Sequence, residues 1–193
     1  MDVIITNLSK TFGSQPVLQQ CSATLPAGET TLLTAPSGAG KTTLLRILAG
    51  LETPDSGTID GLSAHKLSMV FQEDRLCPQY SAAANLRLVN PRLSSATIAQ
   101  ALSAVDLPQS AAPVSQFSGG MARRVALLRA LLVDATLILL DEPIKGLDAA
   151  TKDAVLSYTK QMTTGKTVLL ATHDPSEGTA LGSNHILTLK KLP

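Results

Sequence analysis

The chain lacks long hydrophobic runs. Its longest, such as "TLILL" and "TVLLAT", are five or six residues, against the roughly 20 needed to span a bilayer. A transmembrane segment is excluded, and any work at a membrane requires docking on another chain. The opening "MDVIITNLSK" carries Asp2 and lacks both the cationic and the apolar region of a signal peptide, so export is not expected. Only two cysteines occur, Cys21 and Cys77. They are too few and too far apart for a disulfide framework or a zinc site, and read as free core-type thiols in a reducing compartment. Excess charge is also missing: the formal net charge is +1 with 16% charged residues, which excludes the strongly basic balance of a sequence-independent nucleic-acid binder. No nucleic-acid partner is expected. Nor does any repeat, charge block or low-complexity linker divide the 193 residues. That length suits one well-buried α/β core with a small insertion, not two domains.

What is present alternates. Short β-type runs, "DVIITNL", "ETTLLTA", "LSMVFQ", "ATLILLD", "KTVLLAT" and "HILTLKK", are separated by helical patterns at Thr42 to Leu51, Ser94 to Val105, Gly119 to Leu132 and Ala149 to Met162. Interleaved apolar strands and helices predict βαβ units and a mainly parallel sheet covered on both faces. The near-continuous apolar runs Leu137 to Leu140 and Val168 to Ala171 predict its central strands. Residues 1 to about 30 look less regular, with turns at "FGSQP" and "LPAGE", and suggest an antiparallel β layer beside the main sheet. From about Glu73 to Pro113 the composition turns to alanine- and serine-rich helices broken by Pro78, Pro91 and Pro108, which reads as a helical insertion within one globular unit.

The stretch "TAPSGAGKTTLLRILAG" follows an apolar strand and opens a helix, the context a phosphate-binding loop requires. Backbone N–H groups around Ser37, Gly38, Ala39 and Gly40 can converge on phosphate oxygens at the positive end of the helix. Lys41 can reach the β- and γ-phosphates, the Thr42 hydroxyl can bind Mg²⁺, and Thr43 can hold the α-phosphate side. Ala35 stands where the consensus has glycine, which is tolerable if its φ is negative.

"ATLILLDEP" ends a buried strand in Asp141 and Glu142, at the sheet edge where open α/β folds bind ligands. Asp141 can hold Mg²⁺ through water, and Glu142 can take a proton from, or orient, a water attacking the γ-phosphate. His173, ending "TVLLATHD", can hydrogen-bond that phosphate. Gln72, ending "LSMVFQ", could reach the metal and the attacking water, although taken alone it reads better as an ordinary surface glutamine at a strand end. In "QFSGGMARRVALLRALL", Ser118, Gly119 and Gly120 open a second helix and so form a second anion-binding N-terminus. Two phosphate-binding helix starts make sense if the second serves a nucleotide held by another copy. Arg123 and Arg124 could help bind anions, but a solvated helix face is the better default.

With phosphate loop, glutamine loop, signature, acidic strand end, aspartate loop and histidine loop in order over nearly its whole length, the sequence resembles the nucleotide-binding subunit of an ATP-binding cassette (ABC) transporter. The resemblance implies a P-loop NTPase (RecA-like) core with an N-terminal antiparallel β layer at about 1–73 and 126–193, and a helical subdomain at about 74–125, in one domain over 1–193. It implies ATP and Mg²⁺ as cofactors and two subunits packed head to tail, each ATP lying between Lys41 of one and Ser118 to Gly120 of the other. Phe12 matches the family's adenine-stacking aromatic, with a core phenylalanine as the alternative. Asp148 matches the aspartate that links the two sites, a role that can coexist with capping the helix after it. Phe117 and Met121 depart from the family's Leu and Gln.

"FQEDRLCPQYSAAANLRL" resembles the docking region of bacterial nitrate-, sulfonate-, taurine- and thiamine-precursor-type importer ATPases. This implies integral membrane permease partners, a solute-binding protein in the complex and a cytoplasmic position on the inner face of the membrane. The alternatives are the ATPase of an exporter or lipoprotein-release complex and a soluble non-transport ABC protein. The end at Pro193 is expected to leave no room for a C-terminal regulatory domain.

Overall fold

A computed structural model describes residues 1–192; Pro193, the last residue of the expected domain range, lies outside the described residues. In chain order the strands are Val3–Phe12 (β1), Gln15–Leu25 (β2), Thr30–Thr34 (β3), Ser56–Asp60 (β4), Leu67–Val70 (β5), Leu137–Asp141 (β6), Thr167–Ala171 (β7) and His185–Thr188 (β8). The helices are Lys41–Leu48 (α1), Ala82–Val89 (α2), Ser95–Ala104 (α3), Gly119–Leu131 (α4), Ala149–Thr163 (α5) and Pro175–Ala180 (α6).

Five strands form a parallel sheet in the order β5-β6-β7-β3-β8. Every residue of the central strands β6 and β7 is buried, the reason both read as continuous apolar runs. Alternation then sorts their side chains into two cores. Ile138, Leu140, Val168 and Leu170 join the cluster under α2 to α5, whereas Leu137, Leu139, Leu169 and Ala171 join the one under α1, β1 and β2. Each fully buried leucine stabilises the fold by about 1.5–3 kcal/mol. Helices α2 and α3 therefore share a hydrophobic core with the sheet. The Ser81 and Ser94 side chains cap them, accepting from Ala84 N and Thr97 N, as polar N-caps do for the free N–H groups of a first turn.

The second sheet, β2-β1-β4, is antiparallel. It bears out the antiparallel β layer expected at the N-terminus, in strands more regular than the sequence pattern suggests: β1 and β2 are the longest strands of the fold at 10 and 11 residues. Register shifts between Ile5 and Leu8, and again up to Thr11, break their pairing, and Asn7 and Gln20 take φ of 50° and 48°. Such bulges interrupt the two-residue alternation by which strands are recognised. Among the described residues no helix is long and apolar enough to cross a membrane.

Candidate active site

Parallel pairing brings the carboxyl ends of β3, β5, β6 and β7 to one edge, and the connections leaving them enclose a cavity of about 350 Å³. Its lining gathers Ser37 to Thr43, Gln72, Asp141, Glu142 and His173 from four separate stretches of the chain. Phe12, Ser118 to Gly120 and Asp148 do not line it.

The loop between β3 and α1 is built for an anion. Gly40 ends it with φ 90° and ψ 11°, and no side chain caps α1, so the N–H groups of the first turn are free to bind. A β-carbon at Gly40 would lie 2.9 Å from Val17 O and from Leu18 Cδ2, so β2 presses on the loop from behind. Ala35 is absent from the residues with positive φ, which removes the steric objection to it. Its carbonyl accepts from Lys41 Nζ at 2.8 Å.

Across the cavity, Thr42 Oγ1 donates to Asp141 Oδ2 at 2.7 Å. Asp141 is 1% exposed. Burial raises its carboxyl above the ordinary carboxylate range, opposed by the Thr42 hydrogen bond and by the charges of Arg123, Lys41 and Lys145. The next residue, Glu142, has φ 50°, a left-handed conformation costing a non-glycine residue about 1–3 kcal/mol and kept only where the surroundings dictate it. Its Oε1 lies 3.0 Å from His173 Nε2 but outside hydrogen-bond geometry, and this buried oxygen has no hydrogen-bond partner. A buried acceptor without a partner is costly. This one sits on a cavity wall, where a water between it and a bound phosphate would satisfy it.

The histidine loop is braced from behind. Thr172 Oγ1 donates to Glu177 Oε2 at 2.7 Å and accepts from Asp174 N at 3.1 Å. Lys152 on α5 meets Asp174 at 2.6 Å and Glu177 at 2.9 Å. Sequence reasoning missed this brace; the signal available was Asp174-Pro175, an N-cap followed by proline at the first helical position. It also missed Val17 and Lys145 in the cavity wall, for which the sequence carries no local signal.

Arg123 and Arg124 require a correction, because both are buried, at 4% and 8% exposure. Arg124 Nη1 donates to Val105 O and Asp106 O, and its Nε to Gly120 O, tying the end of α3 to the start of α4. Arg123 points instead to the sheet edge. The other signature residues are as follows: Ser118 caps α4, accepting from Met121 N at 3.2 Å, and with Gly119 it is exposed. Phe117 and Met121 pack against the larger core, so these two departures face inward. Asp148 caps α5, accepting from Thr151 N and Oγ1 at 3.0 and 2.8 Å, bonds that hold its carboxyl below the ordinary range. Phe12 is 46% exposed, with Lys10 Nζ 5.1 Å from its ring centroid; it is not a core phenylalanine.

A phosphate loop and an acidic strand end facing one cavity at the carboxyl edge of a parallel sheet define a P-loop nucleoside triphosphatase. Residues 18–145 match the family model described as ABC transporter. The chain is 40% identical over 192 residues to the aliphatic sulfonates import ATP-binding protein SsuB of Pseudomonas fluorescens, covering 95% of this chain and 72% of that protein. It is 38% identical over 209 residues to the Fe(3+) ions import ATP-binding protein FbpC of Escherichia coli, covering 98% of this chain and 59% of that one. Its fold superposes with TM-score 0.84 and 27% identity on the dimeric post-hydrolysis structure of the ATP-binding cassette MJ0796 bound to ADP and Pi, covering 98% and 94% of the two chains. The chain belongs to the ABC transporter family and is one of its ATP-binding, ATP-hydrolysing cassettes.

Proposed function

We propose that this cassette hydrolyses ATP to drive a bacterial importer of a small solute, with Glu142 as general base. The observation that carries the residue roles is the convergence of Lys41, the Thr42–Asp141 bond and the partnerless Glu142 oxygen on one cavity. Import is supported by the relatives, which are named import ATP-binding proteins.

In this reading the N–H groups of Ser37 to Thr43 and the Lys41 ammonium hold the phosphate chain. Phe12 stacks on the adenine. Glu142 takes the proton of the attacking water as the bond to the γ-phosphorus forms and the bond to the leaving oxygen of ADP breaks. His173, beside it, donates to the γ-phosphate, and Gln72 orients the water. The donors present fit Mg²⁺: Thr42, Asp141 and Gln72 are hard oxygen ligands. Among the described residues no group of three or more His, Cys, Asp or Glu forms a closed cage, so phosphate and water would complete the shell. Magnesium would supply charge neutralisation on the phosphate oxygens.

Ser118 to Gly120 and Asp148 lie outside this cavity and serve the nucleotide of a second subunit packed head to tail, a reading supported by the dimeric cassette of similar fold. The helical subdomain at about 74–125 docks on integral membrane permease subunits, with a solute-binding protein completing the complex. The assembly places the cassette on the cytoplasmic face of the membrane.

The test is Glu142→Gln, examined by light scattering and phosphate release with and without Mg-ATP. Retained ATP binding, an ATP-dependent dimer and turnover lowered about 10²–10⁴-fold are expected. Unimpaired turnover would remove Glu142 from the role of base.

A further inference from the structure

Arg123 is the most heavily bonded side chain beside the cavity, yet it does not line it. One terminal nitrogen, Nη1, donates to Phe71 O at 2.6 Å, to Gln72 O at 3.3 Å and to Asp74 Oδ1 at 3.1 Å. The other, Nη2, donates to Asp141 O and Glu142 O, both at 2.6 Å, and Nε reaches Glu142 O at 3.2 Å. A planar guanidinium thus spans two strand ends at once, the exit of β5 and the exit of β6, with its side chain 5% exposed. Fixed fork geometry is what separates arginine from lysine in such a place.

The residues it grips are those to which the proposed chemistry belongs. Glu142 holds φ 50° because its peptide groups are pinned on both sides, its N–H by Ala171 O at 2.9 Å and its carbonyl by Arg123. Arg129, further along α4, adds to the hold on the β5 side by donating to Asp74 O and Arg75 O. At the start of the same helix stand Ser118, Gly119 and Gly120, with Arg123 in its second turn.

We propose that Arg123 is a positioning residue: it fixes the backbone of Glu142 and Gln72, and it links them rigidly to the helix whose N-terminus meets the nucleotide of the neighbouring subunit. This rests on the reading of Glu142 as base. Engagement of Ser118 to Gly120 with that second nucleotide then sets α4, and Arg123 carries the setting to the base at its own site.

The test is a double-mutant cycle on the full chain, with Arg123→Gln, Glu142→Gln and the pair, read as single-turnover hydrolysis of Mg-ATP beside calorimetric ATP affinity. Arg123→Gln is expected to lower kcat by about 30-fold or more, with KM and ATP affinity within about 2-fold. In the Glu142→Gln background it is expected to cost less than about 3-fold further, because a group acting through a missing base has nothing left to position. Arg123→Lys keeps the buried charge without the fork, so its kcat falls between the two, and it carries the same cycle should Arg123→Gln fail to fold. Full loss in both backgrounds, unchanged kcat, or weakened ATP binding as the main effect would each overturn the proposal. An active Glu142→Gln single variant would instead overturn the reading beneath it, and the positioning role with it.

Discussion

Gly40→Ala offers the most direct test of how the phosphate loop is held. Gly40 has φ 90°, and Gly38, two residues earlier, has φ 79°. Alanine at either position takes on left-handed strain of about 1–2 kcal/mol. The surroundings differ. A β-carbon at Gly38 meets nothing within 4 Å, whereas at Gly40 it would lie 2.9 Å from Leu18 Cδ2, 2.9 Å from Val17 O and 3.0 Å from Val17 Cγ1. One of those atoms is backbone in β2 and cannot swing away, so overpacking adds about 1–3 kcal/mol. Chemical denaturation should therefore show Gly40→Ala less stable than Gly38→Ala by about that increment. Relief of the clash moves the start of α1 from its place, so ATP at a hundredfold its Kd, which should stabilise the native protein by about 2.7 kcal/mol, should stabilise Gly40→Ala by less. Equal destabilisation of the two variants within about 0.5 kcal/mol, the ordinary scatter between independent sites, would refute the claim that β2 buttresses the loop.

Lys41→Ala removes a cation from the cavity, where charge-assisted bonds contribute about 1.5–3 kcal/mol each; ATP affinity by titration calorimetry should fall about 10- to 100-fold. Asp174 predicts a pH signature, since Lys152 first and then Ser176 hold its carboxyl down to about 2 from the ordinary 3.8. A carboxylate depressed on folding contributes stability that is complete above the unfolded value and lost as pH falls through the folded one. Urea midpoints of the native protein and Asp174→Asn should thus differ at pH 6 and converge as pH falls from 3.8 to about 2; a constant gap would contradict the pairing with Lys152.

Legibility in the sequence followed locality. The loop from Ala35 to Lys41, the strand ending in Asp141 and Glu142, and the helix opened by Ser118 are each decided within about ten residues, by turn chemistry and apolar runs, and each was read. Strand β4 was not, because "SGTID" has a single partly buried apolar position, Ile59, and owes its conformation to pairing with β1. Arg123 and Arg124 were misread for a related reason. Arginine on a helix is usually solvated, and only the fold brings the carbonyls of Phe71, Asp141 and Glu142 around one of them and those of Val105 and Asp106 around the other. Such burial depends on partners 18 to 52 residues away, beyond the reach of any local pattern.

The bond from Lys41 to the carbonyl of residue 35 bears on how freely that position can drift. The lysine uses a group that every amino acid possesses, so the resting geometry of the loop does not depend on the side chain at 35. In the proposed binding mode, incoming phosphate competes with a main-chain oxygen, and substitution at 35 cannot abolish that competitor. Backbone angle and bulk are the constraints this contact leaves on position 35. A methyl group meets both, so a loop with alanine in place of its first glycine keeps the same contact to its lysine.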